Sequence, residues 1–388
     1  MTQIISISGP IVKIRVDDQN PGLFEVAYVG NQGLIGEVVD IDKNVATVQV
    51  YEDTEGLSLG EPVEFTGHML NAYLGPGLLG GIYDGIQRPL TKLDFRIKKG
   101  LKEFPLEKNK KWHFTPAVKE GEVISAGSLI GEVPEGGLIH RIISPFSGKV
   151  KFIAEEGEYT IDDTVVITEE GKEVKLYSTY PVRIPIGFKS RKRSKIPLIT
   201  GQRVIDFLFP ITKGGTASIP GGFGTGKTIL QQTLAKWSDA DVVIYVGCGE
   251  RGNEMTEVLK DFSKLKDPKT GKPLMERTVL IANTSDMPVS AREASIFLGI
   301  TIGEYYRNMG YHVALMADST SRWAEAMREI SSRMNQLPVE EGFPSDLSSK
   351  IASVYERAGF VETLSGKEGS LTIIGAVSPP GGDFSEPV

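Results

Sequence analysis

The 388-residue sequence is poor in metal-binding and cross-linking side chains: it has one cysteine, Cys248, and four scattered histidines. A lone thiol excludes an internal disulfide and a cysteine-built zinc cage, and it fits a reducing compartment. No protein-ligated structural metal is expected. Long apolar runs are also missing. Nothing approaches the roughly 18 consecutive apolar residues of a membrane-spanning helix, and the opening "MTQIISISGPIVKIRVDD" alternates like a strand, without the charged-then-apolar plan of a signal peptide. A cytoplasmic chain that reaches a membrane only through partners is expected. Nor is there an excess of positive charge, since 43 Lys and Arg face 50 Asp and Glu for a net charge of -7. That balance argues against a surface built wholly to grip nucleic acid. The length points to two or three domains.

What is present changes character along the chain. Residues 1–70 are short alternating runs broken by glycine turns, which predicts an N-terminal antiparallel β-barrel. Residues 71–111 form a connector whose "YLGPGLLGGIYDGIQRPL" is too apolar for a plain linker and is expected to pack at a domain or subunit junction. Residues 112–185 are again strand-rich, an inserted β module. Its glycine-spaced hairpins resemble a biotinyl or lipoyl carrier, but the turn "VPEGGLIHRI" has no lysine to modify, so a structural role is expected. The basic run Lys189 to Lys195 reads as a solvated connector. In 186–388, from Ile196 onward, apolar strands alternate with helices, the pattern of a parallel sheet wrapped by helices in a RecA-like α/β domain.

The chemistry concentrates in that last part. Gly221, Gly222, Phe223, Gly224, Thr225, Gly226, Lys227 and Thr228 satisfy G-x-x-x-x-G-K-[ST] between a predicted strand and a predicted helix. Glycines let backbone N–H groups converge on phosphate oxygens, and the helix adds its positive end. Lys227 suits the β- and γ-phosphates and Thr228 suits Mg²⁺. Asp318 closes the apolar run "VALMAD", where a magnesium-shell acid belongs, although an Asp there could also cap the next helix. Glu250 follows the strand "DVVIYVGC" and is a candidate base for activating water. The residues alone leave this reading level with a surface turn in which Arg251 pairs Glu254. An N-K-x-D base-reading motif is absent, and "LSGKE" departs from an ABC signature and lies after the acid rather than before it.

"PLITGQRVIDFLFPITKGGTASIPGGFGTGKT", "DVVIYVGCGERGNEMTEVL", "TVLIANTSDMPVSAREASIFLGITIGEYYRNMG", "VALMADSTSRWAEAMREISSRM" and "GAVSPPGGDFSEPV" closely resemble the catalytic chain, the A type, of V/A-type rotary ATPases, across essentially all 388 residues. The β-rich stretch 112–185 corresponds to that family's extra bulge domain. The resemblance implies ATP synthesis or hydrolysis with Mg²⁺, ATP, ADP and phosphate. It makes Lys227 and Thr228 ligands of phosphate and Mg²⁺, Glu250 the base, Arg251 an organiser of the site, Asp318 the magnesium acid, and Arg322 a link from the γ-phosphate to the neighbouring subunit. It also implies an alternating ring of three A-type and three B-type subunits with an arginine finger from the B type, central and peripheral stalks, and a membrane rotor moving protons or sodium, with the chain on the inner face of the cell membrane. Two departures stand out: Gly222 and Thr225 replace the proline and serine usual in the loop, and family members continue past "SEPV" into more of the nucleotide domain and a C-terminal helical domain. A RecA- or Rho-like nucleic-acid translocase is the alternative, but it calls for a basic, aromatic barrel and residues 1–70 are acidic. A chain that keeps assembly without catalysis is a third reading.

Overall fold

The structure is a computed structural model that describes residues 2–17, 19–90, 99–222, 224–267 and 270–388. Near the N-terminus six antiparallel strands lie in the spatial order Gln3–Ser8, Ile11–Arg15, Val45–Val50, Leu34–Asp42, Glu25–Val29 and Val63–Met69. The two outer strands meet, because Gln3 bridges Pro62 and the Ile4 N–H donates to the Glu61 carbonyl at 3.0 Å. The sheet therefore closes into a barrel and leaves few edge groups unpaired. Alternation places Val12, Ile14, Ala27, Val29, Val48 and Val50 in its interior.

Two four-stranded antiparallel sheets follow. One runs Val123–Ile124, Gly148–Ile153, Thr164–Thr168 and Glu173–Lys175, and the other Leu138–Ile143, Leu129–Glu135, Trp112–Pro116 and Gly157–Tyr159. They bury Phe114, Ile130, Val133, Val150 and Val165. The turn at Gly136, where a carrier module would present a lysine, rests on the nucleotide-domain side: Lys272 Nζ donates to the Gly136 carbonyl at 3.2 Å.

The remaining elements build one eight-stranded sheet. They are β1 (Ile82–Tyr83), β2 (Ser190–Lys192), β3 (Thr216–Pro220), α1 (Lys227–Trp237), β4 (Val242–Glu250), α2 (Gly252–Lys264), β5 (Thr278–Thr284), α3 (Val289–Asn308), β6 (His312–Asp318), α4 (Thr320–Arg333), α5 (Leu347–Tyr355), β7 (Gly359–Glu362) and β8 (Glu368–Val377). The order is β2-β7-β8-β6-β4-β5-β1, with β3 beside the second half of β8. Strands β1, β3, β4, β5, β6 and β8 are mutually parallel, and β2 and β7 run antiparallel at one edge. Helices cover both faces, so β4 reads as a continuous apolar run, buried from Val242 to Gly249.

Two sequence segments take on more structure than their composition suggests. The glycine-rich connector supplies β1, paired with Leu280 and Ile281 of β5. The basic run supplies β2, where Lys189 and Lys192 pair with Glu362 and Lys192 also with Glu368. The barrel is fastened to α3 by Arg183, whose Nε donates to Glu37 at 2.9 Å and whose Nη2 donates to Glu293 at 2.8 Å.

Candidate nucleotide site

Parallel strands end on one edge, and the side chains singled out from the sequence gather there. After β3 the chain turns through Gly221–Gly226 into α1, with Gly224 and Gly226 in the left-handed region at φ +80° and +86°. Only glycine enters that region without penalty, so the turn that aims the loop at the helix axis depends on them. The Gly221 N–H donates to the Val377 carbonyl at 3.0 Å, which fixes the loop's start to β8. Lys227 Nζ reaches back across the loop to the carbonyls of Gly221 (2.6 Å) and Gly222 (2.7 Å), and the Thr225 hydroxyl donates to the Gly222 carbonyl at 2.9 Å. Phe223 lies outside the described residues.

Asp318 closes β6 and is 2% exposed. Burial raises its pKa, opposed by hydrogen bonds from Tyr245 and Thr228. The Tyr245 hydroxyl donates to Asp318 Oδ2 at 2.9 Å. Asp318 does not cap the following helix. That role falls to Ser319, whose hydroxyl accepts from the Arg322 N–H at 3.4 Å. Helix α1 is pinned to the sheet by Gln231, fully buried, whose Nε2 donates to the carbonyls of Ala317 and Ile374, both at 3.2 Å.

Glu250 ends β4 after a bulge. The β4–β5 register shifts between Cys248 and Glu250, and Gly249 takes φ +76°. There is no room for a side chain at Gly249: a Cβ would stand 2.9 Å from Arg322 Cβ and 3.1 Å from Arg292 Cδ. The Ser285 N–H, donating at 2.9 Å to the Glu250 carbonyl, holds the strand end. Burial pushes the Glu250 pKa up to about 8, with further contributions from the Asp318 charge and a hydrogen bond with Glu254; Arg322 acts the other way. Glu254 thus faces Glu250. Arg251 is exposed at the start of α2. Arg322 holds Glu325 through Nη1 at 2.9 Å.

The loop, Asp318, Glu250 and Arg322 therefore share one edge of the sheet. Tyr245, Gln231, Gly249 and Glu254 were not singled out from sequence. A hydroxyl inside an otherwise apolar strand and a glycine directly before a strand-end acid are the signals that point to the first and third.

This sheet, its glycine-rich loop and the two β modules ahead of it define a class, the nucleotide-binding subunits of the ATP synthase alpha/beta family. Three family models match in tandem: the ATP synthase alpha/beta family beta-barrel domain at residues 4–67, the alpha/beta subunit barrel-sandwich domain at 104–183, and the nucleotide-binding domain at 201–388. The chain is 57% identical to the A-type ATP synthase catalytic-type chain, the A subunit, of Methanopyrus kandleri and 58% identical to that of Thermococcus onnurineus, over 100% of its own length and 67% and 68% of theirs. It belongs to the family of A subunits of A-type ATP synthases. A solved structure of EscN, the assembled ATPase of the enteropathogenic E. coli type III secretion system, superposes with a TM-score of 0.67 at 24% identity, covering 100% of this chain and 72% of that one, a likeness of fold.

Proposed function

We propose that this chain is the catalytic subunit of a rotary A-type ATP synthase, making or hydrolysing Mg-ATP at the edge formed by β3, β4, β6 and their loops. The observation that carries the proposal is the convergence of Lys227, Thr228, Asp318 and Glu250 on that edge, with Thr228 hydrogen-bonded to Asp318. A hydroxyl and a buried carboxylate are the hard oxygen donors that Mg²⁺ takes, Thr228 directly and Asp318 through its water shell. The ion, when bound, neutralises charge building on the β- and γ-phosphates.

The chain's own residues do the rest. Lys227 exchanges its two loop carbonyls for phosphate oxygens, and the backbone of Gly221, Gly222, Phe223, Gly224, Thr225 and Gly226 wraps the phosphates. Glu250 accepts the proton of the attacking water. Its raised pKa suits a base that works near neutrality, and Arg322, which favours the ionised form, trims that pKa. Arg251, exposed at the mouth, organises the site toward a neighbour.

The partner is a B-type subunit in an alternating ring of three and three, supplying an arginine finger worth roughly 10³ to 10⁵ in rate. Central and peripheral stalks couple the ring to a membrane rotor moving protons or sodium on the inner face of the cell membrane. Among the described residues no helix is long and apolar enough to cross a membrane. The test is ATPase activity of the chain alone and mixed with a B-type subunit. Activity is expected only in the mixture and is lost with Lys227→Ala. A mixture that assembles but stays inactive refutes the catalytic reading, and RNA-stimulated activity of the chain alone would point to a translocase.

A further inference from the structure

We infer that Tyr245 is a positioning residue for the metal end of this site: its hydroxyl fixes the orientation in which Asp318 meets nucleotide-bound Mg²⁺. The inference rests on the nucleotide reading above. Tyr245 lies in the middle of β4, 1% exposed, where the register sets it opposite Met316 and sets Gly247 opposite Asp318. Its ring is held edge-on by Phe262 of α2, with centroids 5.8 Å apart and planes at 82°. A ring packed on a central strand and clamped by a helix keeps its hydroxyl in one place.

That hydroxyl donates to Oδ2 of Asp318 at 2.9 Å, and Thr228 bonds the same carboxylate. The carboxylate is thereby tied to β4 on one side and to the start of α1 on the other. A free carboxylate turns about its last bond. One held by two donors presents a fixed face to a cation's water shell, so less ordering is left to be done when the ion binds. Tyr245 touches neither phosphate nor metal in this reading and acts through Asp318. Replacing it by Phe keeps the ring and its packing but leaves a buried carboxylate oxygen short of a donor, which charged groups tolerate poorly.

The experiment measures ATP affinity of the 388-residue chain without metal and across a Mg²⁺ titration, for wild type, Tyr245→Phe, Asp318→Asn and the double variant. Tyr245→Phe is expected to leave metal-free ATP affinity within about twofold and to raise half-saturating Mg²⁺ about tenfold, the size of one charge-assisted hydrogen bond. The double variant is expected to match Asp318→Asn, because the two residues act as one unit. A tyrosine that served packing alone would lower the melting temperature and leave the Mg²⁺ dependence where it was. An unchanged Mg²⁺ half-saturation in folded Tyr245→Phe, or additive effects in the double variant, overturns the inference. Should Tyr245→Phe not fold, Phe262→Leu, which frees the ring, must shift the Mg²⁺ dependence in the same direction, and no shift overturns it equally. Wild-type chain that binds no ATP with or without Mg²⁺ overturns the nucleotide reading instead.

Discussion

Replacing Glu250 by glutamine should make the protein more stable in alkali, and the size of the effect follows from the site. The carboxyl titrates near 8 in the folded chain against an ordinary value of 4.5. A raised value means that the fold holds this proton more tightly than the unfolded chain does. The contribution is therefore complete below pH 4.5, declines as pH rises, and is gone above about 8. The ceiling on the decline is about 1.4 kcal/mol per pH unit within that window. Glu250 is partly exposed, so solvent screening reduces the total, and roughly 2 kcal/mol across the window is expected. Glutamine has nearly the same shape, can hydrogen-bond Glu254 and does not titrate. Its advantage over wild type should be near zero at pH 5 and grow to about 2 kcal/mol at pH 9. Urea unfolding of both proteins at several pH values, with extrapolation to water, measures this difference. A difference that is flat across the range, or that shrinks as pH rises, would show that Glu250 does not bear the burial and the Asp318 field assigned to it. The same variant should fail to hydrolyse ATP in a B-subunit mixture, as expected where a site keeps a destabilising group for its chemistry.

Gly249→Ala should destabilise the chain by about 2–4 kcal/mol, from the left-handed backbone together with the new contact on Arg322 and Arg292. A denaturation midpoint close to wild type would refute the bulge as drawn. Arg183→Met should cost about 3–5 kcal/mol at pH 8 by leaving Glu37 and Glu293 buried without their cation. Burial raises the Glu37 pKa even with Arg183 in place, so this loss should shrink as the pH falls toward 5, and a loss independent of pH would count against the triad.

How much of this was legible depended on whether a signal was local. Strands β4, β5, β6 and β8 announce themselves because a strand covered on both faces must be apolar throughout, as "DVVIYVGC" is. The loop was legible because phosphate binding constrains eight successive positions. Strand β1 was not, since two residues carry no period and its partners, Leu280 and Ile281, lie about two hundred positions away. Strand β2 hides in a basic run because edge strands tolerate, and gain from, charge. Helix α2 does carry a readable stripe, Met255, Val258, Leu259 and Phe262, all buried, yet the polar "GERGNE" ahead of it draws the eye to a turn. The Tyr245–Asp318 bond joins residues on neighbouring strands and leaves no trace in spacing. The elevated pKa of Glu250 has the same origin, since two of its causes, Asp318 and Arg322, come from β6 and α4.

The strand registers explain why the two acids can take different proposed roles. Asp318 is level with Gly247 of β4, while Ala317 pairs Gly375 of β8 and Gly375 pairs Ser218 of β3, so Asp318 stands just short of the loop. That is the level at which the Thr228 hydroxyl can reach it. Strand β4 runs three residues further, to Glu250, which at 3.3 Å per residue is at most roughly 10 Å along the strand, and the bulge at Gly249 shortens and turns that last step. An acid flush with Asp318 would compete for the same cation. One standing beyond it leaves space between the two for a terminal phosphoryl group and a water, while remaining near enough for the Asp318 charge to raise its pKa. The proposed division of labour between a metal-facing acid and a water-facing acid thus follows from how far each strand extends past the common edge, and Gly249 sets that distance. Shortening β4 by one residue before Glu250 would turn the carboxylate to the other face of the sheet, and it should abolish hydrolysis in a B-subunit mixture while sparing nucleotide affinity.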